Sequence, residues 1–123
     1  MTISRHIWRD DRGAAAVEFA LVAPCVVMLL VGIMSLSLML LSIGSMHFAA
    51  EAAARCASAR PSVCSSSSAI TAFATSNYFG AVTPTFTYVA AACGNQVTAT
   101  ATYGFNVGTF QRSISLSAVS CFP

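Results

Sequence analysis

One acidic side chain stands at the head of a long apolar stretch. Glu18 is the only charged residue between Gly13 and Gly44, and no charged residue occurs from Phe19 to Ile43. A carboxylate costs roughly 2.5–3.5 kcal/mol at the centre of a bilayer and much less near its surface. Taken alone, Glu18 therefore fits a charge that reaches the membrane interface about as well as it fits a functional carboxylate.

The second group of reactive side chains is a set of cysteines. Cys25 lies inside the apolar stretch, and the other four cysteines all follow it: Cys56, Cys64, Cys93 and Cys121. An even set in a small polar domain predicts two disulfides in an oxidising compartment, and the absence of a Cys-x-x-Cys pair disfavours a metal site. Three pairings are possible. We favour Cys56–Cys64, which bracket a predicted helix end, with Cys93–Cys121, which lie at neighbouring ends of a predicted antiparallel hairpin.

Catalytic chemistry has few candidate groups. His47 and Glu51 are one helical turn apart, which suits an ion pair or half of a metal site, and a solvated helix face explains them more simply. The serines from 65 to 68 have no acid–base partner at a suitable spacing. The net charge of +2 and the charged fraction of 8% give no basic surface for nucleic acid. We expect no enzyme activity, no metal, no cofactor and no nucleic-acid partner.

The apolar stretch predicts a helix that crosses a membrane. One helix is expected from Ala14 to Arg60, because alanines flank the apolar centre and Pro61 ends it. Pro24 should kink or loosen it. The transmembrane span is predicted at about 19–43, since such a helix would be roughly 38 Å long and a hydrocarbon core is about 30 Å thick.

Charge predicts the orientation of this span. Residues 1–13 form a basic leader that contains Arg5, Arg9 and Arg12. Basic residues stay on the cytoplasmic side of a membrane, so the leader is expected in the cytoplasm and residues 61–123 outside it, as a small disulfide-braced domain. The charge and the cysteines agree that this domain is exported, and the span itself is expected to contact membrane lipid.

The exported part combines a short helix with strands. A helix is expected from Ala69 to Phe79 with one of Ser66, Ser67 or Ser68 as its N-cap. Residues alternate with period two in three later segments: 83–90, 96–105 and 113–120. Ile114, Leu116 and Ala118 should face the core, as should Tyr78, Phe79 and Tyr103. The predicted fold is α+β, in which a long N-terminal transmembrane helix precedes a short helix and a small three-stranded antiparallel sheet.

The head of the apolar stretch resembles a known signature. Residues 12–24, Arg-Gly-Ala-Ala-Ala-Val-Glu-Phe-Ala-Leu-Val-Ala-Pro, look like the N-terminus of the TadE-like family, the pilin-like proteins of tight-adherence (Tad) pilus systems. The segments 92–98 and 120–123 are also similar to members of that family. The resemblance implies that a prepilin peptidase cuts between Gly13 and Ala14. It also implies that Glu18, then the fifth residue, pairs with the amino terminus of a neighbouring pilin-like subunit.

These observations predict a minor pilin-like structural or assembly subunit of a Tad pilus, anchored by a single span in a bacterial inner membrane. Pilus biogenesis and adherence would be its processes. A single-pass anchored binding module outside any fibre has the same layout and is the alternative. An intact leader on the mature chain would favour that alternative, and a mature chain that begins at Ala14 would favour the pilin-like subunit.

Overall fold

Two helices and a three-stranded sheet follow one another along the chain. The computed structural model describes residues 11–123, with side chains from Gly13 onward. In chain order the elements are α1, Asp11–Ala59; α2, Ser67–Ser76; β1, Thr85–Ala91; β2, Gly94–Val107; and β3, Phe110–Phe122. The strands lie in the order β1-β2-β3, and both pairs are antiparallel. The predicted α+β class is confirmed, whereas Arg5 and Arg9 of the leader lie outside the described residues.

The chain divides into two compact units, residues 1–34 and residues 35–123. In the first unit, α1 is apolar on all sides and nearly all of its described side chains are exposed. The helix continues through Pro24. A helix that is hydrophobic all round needs an apolar environment all round, which a membrane provides. By its length and composition, α1 is a candidate membrane span.

In the second unit, one stripe of α1 forms the core with the sheet and α2. Met46, Ala49, Ala50 and Ala53 are completely buried at helical spacing. The other buried side chains of this core lie on α2 and on the inner face of the sheet: Ile70, Ala74, Phe86, Val97, Ala99, Tyr103, Leu116 and Ala118.

The β2–β3 hairpin is longer than the alternation of residues predicted. Pairing continues through Gly104↔Ser113 to Val107↔Phe110, and Gly108 at φ 60° makes the connection. Leu116 and Ala118 are buried as predicted, but Ile114 is 42% exposed. Ile114 pairs with Tyr103 in the half of the hairpin that ends at the Gly108 turn, and it is less covered than Tyr103, which is buried.

The β1–β2 turn requires a glycine. Gly94 has φ 114°, a conformation that residues with a side chain rarely adopt. A Cβ atom there would collide with the carbonyl oxygen of Phe122 and with Pro123 Cα, 2.5 Å away. This turn therefore brings the start of β2 against the end of β3, next to Cys93 and Cys121.

Candidate functional site

The residues that the resemblance singled out lie together near the start of α1. Gly13, Ala14 and Glu18 are all helical and exposed. A Cβ atom added to Gly13 would meet nothing within 4 Å, so the described residues leave the peptide bond after Gly13 uncovered. This segment is sterically open to another protein.

Ala14 and Glu18 occupy successive turns on one face of the helix. Residues four apart are neighbours on a helix surface, with a rise of about 6 Å between them. Small side chains at Ala15 and Ala16 separate them in sequence. An ionic group at Ala14 and the carboxylate of Glu18 would thus face the same neighbour.

Among residues 13–123, Glu18 has no compensating charge nearby. Within residues 13–123, the ion pair that forms joins Arg55 to Glu51, and no hydrogen bond reaches the Glu18 carboxylate. The adjacent side chains of Val17 and Phe19 are 62% and 74% exposed. Because an unpaired carboxylate is costly in an apolar environment, this group has a strong preference for an external cation or for water.

The two disulfides are those that the sequence favoured. Cys56 joins Cys64 across the end of α1 with a Cα–Cα distance of 5.9 Å, and Cys93 joins Cys121 across β2 and β3 with a distance of 6.2 Å. The first attaches the loop before α2 to α1, and the second closes the hairpin at the end opposite its turn. Cys25 is a free, exposed thiol in the first unit.

Three serines of α1 hold the second unit together in a way that the sequence did not predict. Ser45 Oγ accepts the Phe79 N–H at 2.7 Å, and Ser42 Oγ accepts the Ala81 N–H at 3.1 Å. The carbonyl oxygen of Ser35 accepts the Tyr103 hydroxyl at 2.8 Å. Nothing in the local sequence of these serines indicates contacts so distant along the chain.

The other residues that the sequence singled out contribute to the fold. Glu51 pairs with Arg55. Ser66 is the N-cap of α2 and accepts the Ala69 N–H at 3.2 Å. Phe79 was predicted to be buried and is instead 57% exposed, since its backbone is held at Ser45 while its ring lies on the surface beside Phe48.

Comparison with known proteins bears on α1. Residues 13–55 match the family model described as TadE-like protein, which confirms the resemblance seen in residues 12–24. The matched range includes Gly13, Ala14 and Glu18 and ends before α2 and the sheet. No curated protein and no solved structure matches the chain. The match indicates a protein associated with Tad pili.

Proposed function

We propose, from the TadE-like match over residues 13–55, that this chain is a non-catalytic, minor pilin-like subunit that builds or assembles a Tad pilus. The observation that carries the proposal is the Glu18 carboxylate, which is exposed on an apolar helix with no cation beside it among the described residues. Subunits that must recognise one another in lipid would gain a specific contact.

Cleavage between Gly13 and Ala14 would supply the missing cation. A prepilin peptidase would remove the leader and leave an ammonium group on Ala14. An ammonium and a carboxylate are each costly in a medium of low dielectric constant, and pairing between subunits lowers the cost of both. The carboxylate near the new N-terminus also interacts favourably with the helix dipole.

The membrane crossing is proposed at residues 14–34. A helix of this length is about 31 Å long and matches a hydrocarbon core of about 30 Å. This placement is N-terminal to the predicted range of 19–43, because Ser42 and Ser45 are buried in the second unit and bind backbone N–H groups there. The basic leader would lie in the cytoplasm, and the disulfide-bonded unit would lie outside the inner membrane.

Processing can be tested directly. Intact-mass spectrometry of the chain purified from its own cells should show a mature protein that begins at Ala14. A chain that retains Arg12 and Gly13 would contradict cleavage and would favour the anchored binding module.

Subunit pairing is tested with a neutral isostere of the carboxylate. We expect Glu18→Gln to leave the amount of chain in the membrane fraction unchanged and to lower the yield of sheared pili more than tenfold, because breaking a buried ion pair costs about 3–5 kcal/mol. Glu51→Gln is the matched control, since Glu51 is exposed and pairs within its own helix. Equal pilus yields from the two variants would rule out the pairing role of Glu18.

A further inference from the structure

The turn end of the β2–β3 hairpin carries an apolar surface with a cation. We call Phe105, Phe110, Arg112 and Ile114 the hairpin tip. Phe110 and Ile114 are 54% and 42% exposed, and the Phe110 ring packs against that of Phe105 with centroids 6.3 Å apart. The Arg112 guanidinium lies 6.0 Å from the centroid of the Phe110 ring. Together with Leu36 of α1, which is 48% exposed, the hairpin tip lines an open groove.

The hairpin tip lies at a defined end of the second unit. The Arg55 guanidinium is 5.5 Å from the Phe122 ring, and at the other end the Tyr103 hydroxyl binds the Ser35 carbonyl. The hairpin therefore runs along α1 from Arg55 towards Ser35. The tip lies at this end of the unit, where it lines a groove with Leu36. Because Ser35 directly follows Met34, the chain enters the unit from the proposed membrane crossing at this end.

Charge favours an anionic partner at the tip. The only carboxylate side chain in residues 35–123 is Glu51, and it is paired with Arg55. Arg112 consequently has no acidic neighbour within the second unit. Exposed aromatic and aliphatic side chains beside a basic group are typical of segments that lie in the interface of anionic membranes.

We propose that the hairpin tip is a membrane-surface anchor that takes anionic phospholipid. Phe110 and Ile114 enter the boundary between headgroups and acyl chains, and Leu36 continues the same apolar surface on α1. Arg112 binds lipid phosphate, which its long side chain reaches while its stem stays in apolar surroundings. The anchor rests on the membrane crossing of the proposed function, and it would hold the exported unit against the bilayer.

Lipid contact is measured with single-tryptophan chains. The chain has one tryptophan, so Trp8→Phe provides a background for Phe110→Trp. The full chain is reconstituted in vesicles of phosphatidylethanolamine and phosphatidylglycerol with brominated acyl chains. We expect these lipids to remove about half or more of the Phe110→Trp fluorescence, because interfacial side chains lie within about 5–10 Å of the acyl boundary.

Phe79→Trp in the same background is the matched control. Phe79 is 57% exposed, nearly the same as Phe110, but its ring packs near Phe48. Phe48 lies 13 residues beyond Ser35, or about 20 Å along a helix. We expect little quenching of Phe79→Trp. Equal quenching at both positions would overturn the anchor. A Phe110→Trp side chain that brominated lipids do not quench, as in a contact with a second copy of the chain, would also overturn it.

A third probe separates this inference from the proposed membrane crossing. Leu29→Trp lies within residues 14–34 and should be quenched strongly if that segment crosses the bilayer. Quenching of Leu29→Trp without quenching of Phe110→Trp would overturn the anchor alone. Absence of quenching at Leu29→Trp would overturn both the anchor and the proposed membrane crossing. With Arg112 present, quenching of Phe110→Trp should be stronger in phosphatidylglycerol vesicles than in phosphatidylcholine vesicles. Arg112→Gln should abolish this difference. A difference that persists would overturn the role of Arg112.

Discussion

The two units of this chain use apolar side chains of one helix in opposite ways. In residues 13–34, large side chains such as Leu29 are exposed, by 61% in that case. In residues 35–59 the helix buries a stripe of small side chains, and Ala50 is completely inaccessible. The first arrangement suits a helix with lipid on every side, and the second suits a helix with a sheet on one side. Apolar character alone therefore does not reveal which surroundings a helical segment needs.

The polar groups differ between the units in the same way. Glu18 of the first unit has no internal partner among the described residues, whereas Ser42 and Ser45 of the second unit each bind a backbone N–H group. A buried polar group is stable only when it is hydrogen-bonded. The second unit provides internal partners for Ser42 and Ser45, and the first leaves its carboxylate to an external partner.

The largest expected difference between the units comes from an added charge. Leu29→Arg should raise the free energy of membrane insertion by about 3–4 kcal/mol, because arginine is strongly disfavoured at the centre of a membrane helix. Val89→Arg is the control, since Val89 is 59% exposed on β1 and a surface substitution costs within about 0.5 kcal/mol. The fraction of chain retained in membranes after alkaline extraction measures the effect. Equal losses for both variants would break the distinction between the two units.

Removing each disulfide should destabilise the second unit and leave the first in the membrane. The pairs close loops with sequence separations of 28 and 8. From loop-closure entropy, we expect Cys93→Ser with Cys121→Ser to lower the unfolding free energy by about 3.6 kcal/mol. Cys56→Ser with Cys64→Ser should lower it by about 2.5 kcal/mol. Pulse proteolysis in urea measures the unfolding free energy. A decrease in membrane retention that parallels the loss of stability would show that the units depend on each other.

The smallest expected effect concerns packing. Ala50→Leu should lower the unfolding free energy of the second unit by about 1–3 kcal/mol, because the larger side chain has no space in the core. Ala20→Leu is the matched substitution in the first unit, where Ala20 is exposed. We expect it to leave both membrane retention and unfolding unchanged. If Ala50→Leu were as neutral as Ala20→Leu, the packed face of α1 would be assigned incorrectly.

Sequence patterns predicted features that depend on near neighbours along the chain. The N-cap at Ser66 follows from local chemistry, because a serine hydroxyl accepts an N–H group three residues later. The alternation in β3 placed Leu116 and Ala118 in the core. It failed at Ile114, because alternation identifies a face of the strand but does not show how completely each side chain on that face is covered.

Composition and spacing by themselves determined the apolar helix and the α+β class, because each depends on helical or strand patterns over a short stretch, and they showed Glu18 as the single carboxylate of residues 13–44. Only the tertiary structure decided that the second unit begins at Ser35, that Ser45 binds the loop at Phe79, and that the β2–β3 tip lies at the end near Ser35. These features join residues 34 to 68 positions apart. Such contacts depend on how the elements pack in three dimensions, which local residue preferences do not specify.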